Sequence, residues 1–415
     1  MIKYQEAIKI INKVSLNLPN EKISTLNSLN RVCAQNILSP RKNPSSNNTA
    51  FDGFALLAKE TKGLSKKKVK KFKILKSIAA GDNPKITNYQ KNSVVEIMTG
   101  SIVPKQFDTI IPVEKIKYFP SKKKPTHIVI DHVVKKFSFI RFAGEDFDFK
   151  DQVIKKGELI QPKHIMALTT LGIKSLYVKK KPKVIFFGTG NEIVDYKKKN
   201  IYDWQVRNSN NHYFMSFGKS LHYQIIDGGI MKDNQQGKLR EKLKKSIKSD
   251  IDIFVTSGAI SAGKFDFIPE LIKKLGFKKY FKGVAIKPGR PIMLSRFKGK
   301  EKLFFGLPGN PISCAAGFRF FIYPLLRNSL GMLKEEKFKA KLINKYSKQK
   351  DFTHFARCLV KVNSKGLVEL RVLKEQQSHR IKSFSKANSW GIFPSGKDLY
   401  ESGDIIEWVP LIPGS

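Results

Sequence analysis

The chain has 415 residues, 41% hydrophobic and 11% aromatic, which excludes a disordered protein and calls for three or four packed domains. Its net charge is +44, but only 12 of its 78 basic residues are Arg and the excess runs along the whole chain, which reads as a solvated Lys surface, with attraction of small anionic substrates and a nucleic-acid interface as the lesser alternatives. No apolar run approaches the roughly 18 residues of a membrane span, the N-terminus lacks the apolar centre of a secretion signal, and Cys33, Cys314 and Cys358 have no metal-ligand spacing, so a cytoplasmic chain with reduced thiols and no membrane partner is expected.

In chain order, residues 4–16 place Ala7, Ile8, Ile11 and Val14 at helical spacing. Residues 39–50 are polar, with Pro and Ser, and read as a linker. Strand-like runs then follow to about residue 145, among them 72–75, 93–97 and 126–130, with 119–125 as an exposed hairpin tip. From Pro182 strands alternate with amphipathic helices, the helices near 209–221, 237–247, 267–275 and 314–326. That alternation predicts a doubly wound α/β domain, whose ligand loops lie at the carboxyl ends of the strands. After Leu330 short strands return and predict a small barrel or sandwich.

Glycine-rich loops fall at those strand ends: 188–190, 257–258 and 306–309. GLPGNPIS (306–313) follows an apolar strand and opens a helix, where backbone N–H groups point at an anion. KPGRP (287–291) adds two cations. Residues 258–265 have the Walker A spacing except that Phe265 supplies no hydroxyl for Mg²⁺; the readings are another phosphate loop or a structural turn. Glu192, Asp233 and Asp266 follow such loops or turns, and from spacing alone each either holds Mg²⁺ or caps a helix. Residues 49–55, 97–100 and 143–146 are turn-like and ambiguous individually. The seven His residues show no i,i+4 pairing.

As a set, these runs resemble the MoeA family, the molybdopterin molybdenumtransferases that include the gephyrin E domain. NTAFDGFA resembles S-A-M-D-G-Y/F-A, and IMTGSIVPKQFD resembles I-M-T-G-x-x-V/L-P-x-G-x-D/N. RFAGEDFDFKDQVIKKGELI, GTGNEIV, TSGAISAGKFD, AIKPGRP, GLPGNPIS and QQSHRIKSFSKAN match further family runs, eight in order along the chain.

The resemblance implies four domains: a small linking domain (22–43 and 147–180), a β-rich lasso-like domain (44–146), the central doubly wound α/β, molybdopterin-binding-like domain (1–21 and 181–328) and a C-terminal β-barrel (329–415). It implies a homodimer that inserts molybdenum from molybdate into adenylated molybdopterin, hydrolysing the adenylate with Mg²⁺ and releasing AMP. The partners it implies are a MogA-like molybdopterin adenylyltransferase and molybdoenzyme maturation factors. A tungstate-inserting paralogue and a gephyrin-like scaffold are the alternatives.

By position, Lys287, Pro288, Ser313, Arg357 and Ser383 fall on molybdate positions. Glu192, Asp233 and Asp266 fall on Mg²⁺ and nucleotide positions. Gly188, Thr189, Gly190, Ser257, Gly258, Gly309 and Asn310 fall on the molybdopterin-binding loops. Asp52, Thr99 and Asp146 match functional positions of the second domain, expected to act across the dimer. Three departures stand out: Ala259 replaces a Gly, Asn191 an Asp and Phe51 a Met. A methyl at Ala259 would hinder a positive φ or a close backbone approach.

Overall fold

In the computed structural model, residues 1–220, 223–260, 267–299 and 301–413 are described, the side chains of 219 and 220 excepted. The chain divides into two compact units, one of Met1–Gln35, Lys156–Gln161 and Ser175–Ser415, the other of Asn36–Lys155 and Pro162–Lys174.

The first unit is built on six strands: β1 (Lys183–Thr189), β2 (Gln224–Met231), β3 (Ile253–Ser257), β4 (Phe277–Lys282), β5 (Met293–Phe297) and β6 (Leu303–Leu307). Their order is β2-β1-β3-β6-β5-β4. The first four run parallel, β5 is antiparallel to β6, and β4 is antiparallel to β5. Strand side chains alternate between faces, and both faces here are apolar. Val184, Phe186, Ile253, Val255, Leu303 and Phe305 join one core with Phe214 and Phe217 of helix Asn210–Ser220 and with Ala7 and Ile11 of helix Tyr4–Lys13. Ile185, Phe187, Phe254 and Phe304 join the other, under Leu239, Leu243 and Ile247 of helix Gln236–Lys248. The sheet is therefore doubly wound.

The helix expected over 314–326 begins at Pro311, passes through one π turn, Phe318–Ile322, and continues as Tyr323–Ser329. Pro324 has no N–H for the carbonyl four residues before it, and the turn widens ahead of it.

Five C-terminal strands close on themselves. Thr353–Val362 pairs with Val368–Val372, which pairs with Phe338–Leu342, then Ile405–Pro410, then Ser389–Phe393, which returns to Thr353–Val362. Leu342, Ala356, Cys358, Leu370, Phe393 and Ile406 fill this barrel. A two-residue strand, Ile286–Lys287, adds in parallel to the start of Thr353–Val362, Lys287 opposite His354.

The second unit holds a six-stranded half-barrel ordered Thr109–Pro112, Gly53–Leu56, Ser93–Ile97, Lys70–Ile78, His127–Ile130, Lys117–Phe119. Phe54, Leu56, Phe72, Val94 and Ile128 pack on one face, Ala55, Val95, Ile97 and Ile110 on the other. A Cβ at Gly53 would strike the Ile111 carbonyl, so the DG step of FDGFA needs its glycine. The segment 39–50, expected as a linker, is tied down instead. Ser39 N–H donates to the Asp151 carbonyl and Asn43 N–H to the Phe147 carbonyl, both at 2.8 Å, and Asn48–Thr49 pairs with Ile140–Arg141. Polar composition suggested a free segment; backbone pairing, which composition does not report, holds it. Among the described residues no helix is long and apolar enough to cross a membrane.

Candidate functional site

The carboxyl ends of β1, β2, β3 and β6 are stitched to one another. Thr189 Oγ1 donates to the Ser257 carbonyl at 2.9 Å, and Gly190 N–H to Met231 at 3.1 Å. Gly258 N–H donates to Leu307 at 2.8 Å. Asn210 Nδ2 reaches the Gly309 carbonyl at 2.8 Å and Ser257 Oγ at 3.4 Å. Gly188, Thr189, Gly190, Ser257, Gly258, Gly309 and Asn310 thus lie on neighbouring loops at one sheet edge, as their sequence positions predict. A Cβ at Gly258 would lie 2.5 Å from the Thr189 carbonyl, and its φ is 100°. Ala259 follows with φ 52°, so two consecutive residues turn left-handed there, the second with a methyl group.

Buried asparagines in this region escaped the sequence reading. Asn208, Asn210 and Asn211 are all buried, and Asn211 Nδ2 donates to Asp227 Oδ1 at 2.7 Å. The run RNSNN, three amides in a segment leading into a helix, was the available signal.

The acidic positions sit on adjacent loops. A Cβ at Gly190 would meet the Glu192 carboxylate oxygens at 2.5 and 2.6 Å, so the carboxylate folds back over the glycine turn. Asn191 Oδ1 accepts from Asp233 N–H at 2.9 Å, and its carbonyl accepts Lys232 Nζ at 2.7 Å. Asn191 therefore fastens the Asp233 loop to the Glu192 loop. Asp266 lies outside the described residues. Among the described residues no group of three His, Cys, Asp or Glu side chains is arranged to hold a metal. Glu192 and Asp233 supply two hard oxygen donors on joined loops, a set that fits a partly hydrated Mg²⁺.

The cationic loop stands against the barrel. The Lys287–Pro288 peptide is cis and Gly289 has φ 105°. Helix Pro311–Gly317 starts behind it, with Asn310 as N-cap residue. Asn310 Nδ2 donates to Ser378 Oγ at 3.0 Å and Ile312 N–H to the Ser378 carbonyl at 3.1 Å. Between them opens a cavity of about 320 Å³ lined by Lys287, Pro288, Arg290, Ser313, Gln376 and Ser378, among others. A second cavity of about 420 Å³ shares Lys287, Pro288 and Gln376 and adds Lys348, His354 and Gln377. Two exposed cations, a buried hydroxyl and side-chain amides suit a tetrahedral dianion.

Arg357 and Ser383 shape this cleft from beneath. Arg357 is fully buried, and its Nη2 donates to the carbonyls of Glu375 at 2.6 Å and Gln377 at 3.2 Å. Ser383 Oγ donates to the same Glu375 carbonyl at 3.0 Å. Glu375 has a positive φ of 62°, and Gln376 is locked by Arg357 N–H on its Oε1 at 2.9 Å and by its own Nε2 on the Arg357 carbonyl at 3.0 Å. Arg357 Nε and Nη1 are buried without a partner among the described residues. Burial lowers the guanidinium pKa to about 10, which leaves it charged at neutral pH. His354 Nδ1 lies 3.2 Å from the Tyr346 hydroxyl, and its buried Nε2 has no partner among the described residues. Burial, then Lys287 and Lys348, push its pKa down to about 4, so the ring is neutral.

The remaining expected residues belong to the second unit. Asp52 Oδ1 accepts from Thr99 N–H at 2.6 Å and Thr99 Oγ1 at 2.7 Å, which holds the carboxyl below the usual Asp range. Asp146 Oδ2 accepts from Asn43 Nδ2 at 2.8 Å.

Three family models match in succession. They are the MoeA N-terminal region (domain I and II) over residues 2–172, a probable molybdopterin binding domain over 186–328, and the MoeA C-terminal region (domain IV) over 339–411. Curated relatives include a molybdopterin molybdenumtransferase of Staphylococcus epidermidis, 28% identical over 408 residues, covering 98% of this chain and 94% of the relative. One from Staphylococcus aureus is 27% identical over 409 residues with the same coverage. A solved molybdopterin biosynthesis MoeA protein from Pyrococcus horikoshii superposes with a TM-score of 0.83 at 26% identity, covering 100% of both chains.

Proposed function

The chain belongs to the MoeA family and is an enzyme of molybdenum cofactor biosynthesis, and on that premise we propose that it transfers molybdenum from molybdate to adenylated molybdopterin, with release of AMP. The observation that carries this reading is the cleft where Lys287, Arg290 and Ser313 face Gln376 and Ser378. Lys287 and Arg290 neutralise a tetrahedral dianion, and Ser313 donates to one of its oxygens. Arg357 and Ser383 hold the 375–378 segment so that Gln376 and Ser378 are oriented before the anion arrives.

The stitched loops at the carboxyl ends of β1, β3 and β6 would take the pterin and its phosphates, with main-chain N–H groups of 188–190, 257–258 and 309–310 as donors. Glu192 and Asp233, together with Asp266, would hold Mg²⁺. The ion supplies charge neutralisation at a phosphoric anhydride. The Asn191 tie between their loops would keep the Glu192 and Asp233 carboxylates in fixed relation for it. Asp52, Thr99 and Asp146 would serve the same reaction from the second unit of a partner copy, in a cytoplasmic homodimer supplied with substrate by a MogA-like adenylyltransferase.

The test is AMP release from adenylated molybdopterin. Release that requires both Mg²⁺ and molybdate supports the reading; none with both present refutes it. Tungstate has the same charge and shape, so a parallel titration identifies the preferred oxyanion.

A further inference from the structure

Residues 195–205 form an excursion between two short parallel strands, Ile193–Val194 and Val206–Arg207. Both of its ends are rooted in the site. Val206 N–H donates to the Glu192 carbonyl at 2.9 Å and Asn208 N–H to Val194 at 2.8 Å. The loop is braced by its own bonds. Gln205 N–H donates to the Tyr202 carbonyl at 2.9 Å, and Arg207 Nη2 to the carbonyls of Lys198 and Lys199 at 3.0 Å each.

On this braced loop two large rings face solvent. Tyr202 and Trp204 are 59% and 70% exposed, Trp204 being the most exposed aromatic among the described residues. They stack at 4.5 Å with planes 2° apart, and Lys198 Nζ lies 5.7 Å from the Tyr202 centroid. Stacking on Tyr202 occupies one indole face and orients the other outward. A pre-ordered aromatic face with the Lys198 ammonium beside it matches a planar heterocycle that carries phosphate.

We infer that the Tyr202–Trp204 stack is a platform for the planar nitrogen heterocycle, adenine or pterin, of the ligand held at the Glu192 end of the sheet. This rests on the reading of that edge as the site for adenylated molybdopterin. Val206, bonded to Glu192, is only two residues from Trp204, within reach of a nucleotide whose phosphates lie at the glycine loops. Neither Tyr202 nor Trp204 falls on a motif that carried the family resemblance.

The full chain offers a direct readout. Of the three tryptophans Trp390 is buried and Trp408 half-buried, whereas Trp204 faces solvent, so base stacking quenches Trp204 emission, and a quench that disappears in Trp204→Phe belongs to Trp204. AMP with Mg²⁺ and, separately, 6-hydroxymethylpterin are titrated into wild type, Trp204→Ala and Trp204→Phe, with calorimetry in parallel. The platform predicts quenching in wild type and roughly 5- to 150-fold weaker binding in Trp204→Ala for whichever ring it holds. Near-wild-type affinity in Trp204→Phe, without the quench, completes the pattern. Wild-type affinity for both ligands in Trp204→Ala overturns the platform while leaving the site reading intact. If wild type binds neither ligand, the site reading falls and the platform with it.

Discussion

Asp52 and Thr99 close a two-point clasp: one carboxylate oxygen accepts both the Thr99 amide, at 2.6 Å, and its hydroxyl, at 2.7 Å. Both bonds favour the ionised acid, so the folded pKa is depressed. Their contribution is present above the ordinary Asp pKa of about 3.9 and is lost as pH falls through the folded value. Thr99→Val keeps the amide bond and deletes the hydroxyl one. Carboxyl ¹³C titration should show the Asp52 pKa moving up toward the ordinary value, short of reaching it.

Lys287 and Ser313 should each contribute to oxyanion affinity. Loss of a charge-assisted hydrogen bond costs about 1.5 kcal/mol or more, roughly tenfold in affinity. Calorimetry with molybdate should show that loss in Lys287→Met and in Ser313→Ala. Added salt should weaken wild type more steeply than Lys287→Met, because only wild type retains that exposed charge pairing.

Arg357→Met should destabilise the fold and weaken oxyanion binding together. It strips the Glu375 and Gln377 carbonyls of their buried donor. A loss of about 2–4 kcal/mol is expected from denaturant unfolding. Ser383→Ala removes only the second donor on Glu375 and should cost about 1 kcal/mol, with a smaller effect on affinity.

Ala259→Gly should stabilise the protein. At φ 52° the Ala259 methyl crowds its own backbone, a strain of about 1–2 kcal/mol that the extra chain entropy of unfolded glycine partly offsets. A net gain of about 0.5–1 kcal/mol should appear as a higher urea midpoint for the unit that contains it.

His354 should make stability fall in acid. Its folded pKa of about 4 lies below the ordinary value of about 6.5, so the unfolded chain takes up the proton first. Its contribution is complete above pH 6.5 and declines toward pH 4, by up to about 1.4 kcal/mol per pH unit. Denaturation at pH 7 and pH 5 should show the difference in wild type, and His354→Gln should flatten it.

Much of the central sheet was legible because its strands are continuous apolar runs and its helices carry a 3.6-residue period; 183–189, 253–257 and 303–307 were all visible in this way. Loop chemistry was legible for a similar reason: glycine and proline mark turns wherever they stand. Arg357 was different. The family resemblance put it among the oxyanion positions; its bonds to the Glu375 and Gln377 carbonyls depend on groups brought together by barrel register, which no local pattern encodes. Asn208, Asn210 and Asn211 were passed over because amides on a surface and amides under a helix look alike in a sequence. The 39–50 segment misled in the other direction, since backbone pairing leaves no compositional trace.

The pairing of Ile286–Lys287 with Thr353–His354 has a consequence for synthesis of the chain. A ribosome that has reached residue 330 has already made KPGRP and GLPGNPIS, which carry Lys287, Arg290 and Ser313 of the cleft. The strand that seats Lys287, and the Gln376 and Ser378 wall opposite, are still unmade. On the proposed reading of the cleft, the nascent protein gathers its cations before the strand and wall that complete the receptor, so a chain stopped at residue 330 should not bind oxyanion.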